Sequence, residues 1–220
     1  MTFLKRVVTS AVLIGLSAWI LFFTNPFWFA VEVLVFVGVA LFEFFTLMKQ
    51  ARMPVYRLFG VVMGVIIPLA VFMEQGATQS GEVLFIILGC LFLFLLQFSH
   101  TNNSEALVGI SLTLFGILYV SWFLSFLVKI RFLEHGVLWV AYLLAVTKAA
   151  DIGAYLVGSV AGRHSLIPHV SPKKSIEGMF GGLFCSVLAS IAFINLMPPV
   201  FKPTLWHLTV VGLLIGMIGQ

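Results

Sequence analysis

Two charged side chains inside an apolar run, Lys148 and Asp151, are the first place in this 220-residue sequence where chemistry could be done. An ionisable group at membrane depth is costly and ordinarily has a partner or a task. On a helix the two share a face, and Thr147, Asp151 and Tyr155 recur at i, i+4 and i+8 as a polar stripe. Two readings follow. The pair neutralises itself, or the carboxylate faces a water-filled cavity and can hold a divalent cation. Glu32 and Glu43 are the other acidic residues inside apolar runs. Both can reach the interface from near a helix end, and for Glu43 a functional reading weighs equally.

A second constellation follows directly. Between Gly158 and Gly178 runs the longest polar stretch of the chain, carrying Arg163, Lys173 and Lys174 as cations and Ser171 and Ser175 as hydroxyl donors. These are phosphate-binding groups, and they lead into Gly178, Gly181 and Gly182 at the start of the next apolar run. A helix starting there presents backbone N–H groups and the positive end of its dipole to an anion. The plain alternative is a basic loop that obeys the positive-inside rule. His164 and His169 lack a third metal ligand nearby, so phosphate contact or simple exposure is favoured over zinc.

The elements that must position these groups follow from composition. The chain is 61% hydrophobic and 9% charged, against roughly 25% charged in soluble domains. A soluble fold could not cover its surface, so the chain reads as an all-α polytopic membrane protein in a lipid bilayer. Apolar runs bounded by turn or charge signals lie at 7–24, 27–48, 58–73, 82–98, 106–128, 137–158, 179–197 and 204–220, giving about eight spans in one integral membrane domain, 1–220. With the N-terminus inside, the inner loops carry Lys5, Arg6, Lys49, Arg52, Arg57, Arg163, Lys173 and Lys174, and the outer ones only Lys129, Arg131 and Lys202. That bias predicts a cytoplasmic N-terminus and a cytoplasmic polar loop after Gly158. No basic stripe with interleaved aromatics is present, which excludes a nucleic-acid partner. Cys90 and Cys185 lie in apolar runs and read as unpaired. Lys5 and Arg6 precede an apolar run without a small-residue cleavage site, so that run is expected to be a retained first helix.

The segment Ala149-Ala-Asp151-Ile-Gly153-Ala-Tyr155, then Gly158 and Gly162-Arg163, then Ser171-Pro-Lys173-Lys174-Ser175-Ile-Glu177-Gly178 with Gly181-Gly182, resembles phosphatidate cytidylyltransferase (CDP-diacylglycerol synthase). The match runs through about 35 residues in order, and joint occurrence at this spacing is far more specific than Ser-Pro-Lys-Lys alone. The resemblance implies transfer of a cytidylyl group from CTP to phosphatidate, with Mg²⁺ as cofactor and a bacterial inner-membrane enzyme whose active face is cytoplasmic. It makes Asp151 a catalytic and metal-site carboxylate, and Lys173 and Lys174 catalytic cations on the triphosphate. Ser171 and Ser175 would donate hydrogen bonds, Glu177 would orient a lysine or reach the cytidine, Arg163 would meet the lipid phosphate, and Gly178 would open the anion-binding helix. A homodimer is an assembly the sequence allows. Ile152, where the family usually has a hydroxyl residue, and the extra cation Lys148 depart from the pattern. The family's later segment, Gly-Asp-Leu through His-Gly-Gly-x-x-Asp-Arg-x-Asp, has no counterpart here. Its carboxylates are those the resemblance would assign to the catalytic metal, so the chain is expected to be C-terminally truncated, with its activity alone left open. Other readings are a small transporter or channel built on Lys148 and Asp151, another CTP-dependent membrane transferase of polyprenol kinase type, or a non-catalytic remnant that assembles with a partner chain.

Overall fold

The computed structural model describes residues 3–75, 81–98, 105–167, 171–196 and 204–219. Its helices are α1 (Phe3–Phe23), α2 (Pro26–Gln50), α3 (Arg57–Met73), α4 (Gly81–Phe98), α5 (Ala106–Gly116), α6 (Phe123–Phe132), α7 (Gly136–Ala161), α8 (Ile176–Ala192) and α9 (Leu205–Ile218). A π turn, Ile117–Trp122, joins α5 to α6 without a break, so each apolar run of the sequence appears as one helical rod. Among the described residues three rods are long and apolar enough to cross a bilayer: Pro26–Gln50, Ala106–Phe132 and Gly136–Ala161, of 25, 27 and 26 residues. At 1.5 Å per residue each reaches roughly 40 Å, beyond the ~30 Å hydrocarbon core. The chain is an all-α membrane protein, with one short β-hairpin as its only strands among the described residues.

The chain forms two compact units, Met1–Val137 and Leu138–Gln220. In the first, α2 turns Val33, Val37, Leu41 and Phe45 to the interior, a four-residue repeat that lies along one helix face. On α3, Gly60 and Gly64 leave the room that the Phe45 ring and Leu41 occupy. Helices in lipid gain little from hydrophobic transfer between themselves, so small residues that admit close packing matter more. Pro68 lies inside α3 and cannot donate to the carbonyl of Gly64, four residues earlier. The Ser121 hydroxyl in the π turn donates to that carbonyl instead. Helix α2 begins where Asn25-Pro26 predicts: the Asn25 side chain accepts from Trp28 N at 3.4 Å, with Pro26 in the first turn.

The second unit holds the polar constellations. Its core gathers Tyr142 and Val146 of α7 and Leu208 of α9, with Trp139, Ala189, Ile191, Phe193 and Ile215 around them. Helices α8 and α9 meet through small residues, Ser186 and Ser190 on one side and Gly212 and Gly216 on the other. A Cβ on Gly212 would come within 3.1 Å of Val187 Cα and 3.2 Å of the Ser186 carbonyl. Ser190 Oγ donates to the Leu208 carbonyl at 2.7 Å, and Tyr142 Oη lies 2.6 Å from Ser190 Oγ. Serine has one hydroxyl proton, so Tyr142 is the donor of that second bond.

The polar stretch after α7 is more ordered than a loop. Leu156, Val157, Val160 and Ala161 carry the helix to Ala161, three residues past the expected end. Beyond it, β1 (Ser165–Ile167) and β2 (Ser171–Ser175) pair antiparallel, with Ser165 opposite Ser175 and Ile167 opposite Ser171. The expectation of an irregular loop is therefore corrected. Backbone groups between two helices need partners, and here many of them find each other across a hairpin.

Candidate functional site

One face of α7 contributes Asp151, Ala154, Tyr155, Gly158 and Ser159 to a cleft of about 410 Å³. Lys174 and Ser175 of β2, Gly178 and Met179 of α8, and Gly219 after α9 complete the lining. Asp151, Tyr155 and Ser159 are successive four-residue steps, so the stripe seen in the sequence forms one wall and extends a turn further. The opposite wall is held close by glycine. A Cβ on Gly178 would lie 2.9 Å from the Ala154 carbonyl and 3.2 Å from Gly158 Cα, and one on Gly181 would lie 3.0 Å from the Gly153 carbonyl. Larger residues at this seam would push α8 away from α7.

Helix α8 starts because Ser175 caps it. Its backbone is extended (φ −111°, ψ 153°) and its hydroxyl oxygen accepts from Gly178 N at 3.1 Å. The dipole-positive start of α8 therefore opens beside Lys174 on the cleft. At the other end of the α7 wall, Lys148 Nζ sits 3.0 Å from Asp151 Oδ2, with side chains 67% and 46% exposed. The pair exists, yet both members remain accessible, so the carboxylate is not consumed by it. The Thr147 hydroxyl turns back to the Leu143 carbonyl at 2.7 Å and takes no part.

The structure brings four of the predicted site residues, Asp151, Lys174, Ser175 and Gly178, onto one cleft. Ser171 stands at the far end of β2, opposite Ile167. Arg163 is exposed where the chain leaves α7 and gives its backbone N–H to Glu177. The side chain of Lys173 and the whole of His169 lie outside the described residues. Glu177 is not part of the cleft lining. Its Oε2 accepts from Arg163 N at 3.0 Å and His164 N at 3.2 Å, and its Oε1 lies 2.6 Å from His164 Nδ1. The His164 hydrogen bond foremost, with that from the Arg163 amide behind it, holds the Glu177 carboxyl at about 2. Tyr155 stood in the sequence stripe, whereas Ser159, Met179 and Gly219 were not foreseen as lining. Extending the helical period past 158 would have found Ser159, but nothing local to Gly219 signals its place beside α7.

Among the described residues no three His, Cys, Asp or Glu side chains form a metal cage. Mg²⁺ commonly uses only one or two carboxylates and takes its other ligands from water and substrate phosphates. One accessible carboxylate on a cleft that also carries Lys174 suits that mode. Cys90 and Cys185 are both unpaired.

The chain belongs to the Cytidylyltransferase family, whose sequence profile matches residues 4–220. It is 32% identical over 120 residues to the phosphatidate cytidylyltransferase of Staphylococcus aureus (strain COL), covering 54% of this chain and 45% of that one. The phosphatidate cytidylyltransferase of Staphylococcus epidermidis (strain ATCC 12228 / FDA PCI 1200) is 27% identical over 165 residues, 71% of this chain and 61% of the relative. That of Staphylococcus saprophyticus is 29% identical over 120 residues, 54% of this chain and 45% of the relative. The chain spans about half the length of the curated relatives it matches.

Proposed function

We propose that this chain serves the transfer of a cytidylyl group from CTP to phosphatidate, giving CDP-diacylglycerol and pyrophosphate at the cytoplasmic face of a bacterial inner membrane. The observation that carries the reading is the composition of the cleft. Asp151 lies ten residues before the end of α7, about 15 Å of helix rise from Ala161. Lys174, Ser175 and the start of α8 line the same space. Such a cleft can take an apolar lipid's phosphate from one side and a nucleotide's phosphates from the other. Membership of the family and the names of the relatives support the same reading. The eight-span reading and the Lys/Arg bias of the loops support a hairpin on the side where nucleotides are.

In the reaction a phosphate oxygen of phosphatidate attacks the α-phosphorus of CTP, and the bond from that phosphorus to the oxygen bridging the α- and β-phosphorus atoms breaks. Pyrophosphate departs with the electron pair. Little covalent chemistry is asked of the protein; positioning two anions and offsetting their charge is the main task. Lys174 and the α8 N-terminus would hold the polyphosphate, and the Ser175 hydroxyl, whose oxygen already caps α8, keeps its proton for a phosphate oxygen. Lys173 on the neighbouring position of β2 would add a second cation, and Ser171 and Arg163 would act at the hairpin's outer end on the lipid phosphate. Asp151 would hold Mg²⁺, which, when bound, offsets charge on phosphate oxygens as pyrophosphate leaves.

The test pairs binding with turnover. The chain in lipid nanodiscs is titrated with CTP and with ATP, and incubated with α-labelled CTP, phosphatidate and Mg²⁺. Preference for CTP, lost in Lys174→Ala, together with phosphatidate-dependent transfer of label to the lipid phase, supports the proposal. CTP binding no tighter than ATP, or no weaker in Lys174→Ala, overturns it. Direct Mn²⁺ binding by electron paramagnetic resonance checks Asp151, since Asp151→Asn should release the ion.

A further inference from the structure

Glu177 is placed oddly for an acidic residue in a helix's first turn. Such residues commonly serve their own helix, either through the dipole or by reaching back from the third helical position to the cap. Ser175 already caps α8 by accepting from Gly178 N at 3.1 Å, and Glu177 stands at the second helical position. Its carboxylate instead reaches back along the chain to the exit of α7. It takes the amides of Arg163 and His164 on one oxygen, at 3.0 and 3.2 Å, and the His164 ring nitrogen on the other, at 2.6 Å. The adjacent amide, Ile176 N, donates to the His164 carbonyl at 2.9 Å. His164 is thus gripped through its N–H, its C=O and its ring by two consecutive residues of α8.

What this grip secures is the hairpin. Strands of three and five residues form a two-stranded ribbon that is marginal by itself in water. The first strand pair beyond the grip joins Ser165 to Ser175, the residue next to Lys174. Arg163, His164, Ser165 and Lys174 are all exposed, so no apolar core holds this base in place. Hydrogen bonds to an ionised carboxylate are roughly twice as strong as neutral ones and can take over that work.

We infer that Glu177 and His164 form a positioning clasp that fixes the base of the hairpin, so that Lys174 and Ser175 are held at the cleft for the polyphosphate of the nucleotide. Neither residue touches substrate in this account; both act through the hairpin. The inference rests on the proposed nucleotide reading, but the clasp itself has its own readout.

The variants are Glu177→Ala, His164→Ala and His164→Asn, the last offering an amide N–H close to where the ring Nδ1–H stood. Each chain, in nanodiscs, is titrated with CTP, and exchange of the Arg163 and His164 amides is followed by NMR. Slow exchange of both amides is expected in the unsubstituted chain, and fast exchange in Glu177→Ala. CTP affinity should fall about tenfold in both alanine variants, as expected when a charge-assisted hydrogen bond that places the hairpin is lost. His164→Asn should recover most of it. A role confined to folding would lower the folded fraction while leaving the affinity of folded protein unchanged, and that result overturns the inference. Fast exchange of both amides in the unsubstituted chain overturns it too, as does His164→Asn binding no better than His164→Ala. Protected amides in a chain that prefers neither CTP nor ATP would instead sink the nucleotide reading, and with it the purpose assigned to the clasp.

Discussion

Replacing Gly178 with alanine tests whether the close approach of α7 and α8 builds the cleft. The new Cβ would lie 2.9 Å from the Ala154 carbonyl, 2.9 Å from Ser175 Oγ and 3.2 Å from Gly158 Cα. Two of these neighbours are backbone atoms and cannot turn aside as a side chain does. Ordinary contact begins near 3.4 Å, so α8 must retreat from α7 by about half an ångström. Overpacking of this kind costs about 1–3 kcal/mol. Alanine returns up to about 1 kcal/mol through helix propensity, less at a helix end. The expected net loss is therefore about 1 kcal/mol, read as an earlier SDS-induced loss of helical circular dichroism in mixed micelles. Because Lys174 and Ser175 lie directly before this point and Asp151 on the opposite wall, the same shift should weaken CTP binding about tenfold. Gly15→Ala is the control, since nothing lies within 4 Å of a Cβ there. If Gly178→Ala is no less stable than Gly15→Ala and binds CTP normally, the seam does not set the cleft and the reasoning fails.

Three further outcomes follow from other parts of the molecule. Glu82 and Lys129 pair in the first unit with side chains only 10% and 27% exposed. Glu82→Ala should cost about 3 kcal/mol, while Glu82→Met with Lys129→Met should recover most of it in a double-mutant cycle; equal losses from single and double variants would refute the coupling. Tyr142→Phe removes one donor to Ser190 and should cost about 1 kcal/mol. Ser190→Ala breaks the bonds to both Tyr142 and Leu208, so its SDS midpoint should fall further, and the reverse order would show the donor assignment to be wrong. Glu177 has a folded pKa of about 2, below its ordinary value of about 4.3. Its stabilising contribution is therefore complete above pH ~4.3 and is lost as pH falls from there toward 2. Carboxyl ¹³C NMR should place its midpoint near 2 in the unsubstituted chain and higher in His164→Ala; a midpoint at 4 in the unsubstituted chain contradicts the contacts described.

Much of the scaffold was legible because lipid imposes simple rules. Apolar runs separated by Asn25-Pro26, by short polar turns and by Met197-Pro198-Pro199 mark the helices within a few residues. A backbone without water partners must satisfy its own hydrogen bonds, which leaves helix as the default wherever a run is long and apolar. Asp151, Lys174, Ser175 and Gly178, which line one cleft, stood out in the sequence too, because charged side chains in or beside long apolar runs are costly and draw attention to the polar stretch around them.

Other features depended on partners distant in sequence. The π turn at Ile117–Trp122 has no local marker; its Ser121 serves the carbonyl that Pro68 leaves open, more than fifty residues away. The hairpin was hidden because its strands are short and polar, and their pairing is secured by Glu177, thirteen residues beyond His164. Gly219 borders the cleft only because α9 packs on α8 through Gly212 and Gly216. Side-chain type and period, which are local, determine that this chain is helical and membrane-embedded and that its polar groups gather between Lys148 and Gly178. Which of those side chains share a cleft, and which hold the backbone that presents them, is decided by contacts between residues far apart in the chain, and these form only when the helices close.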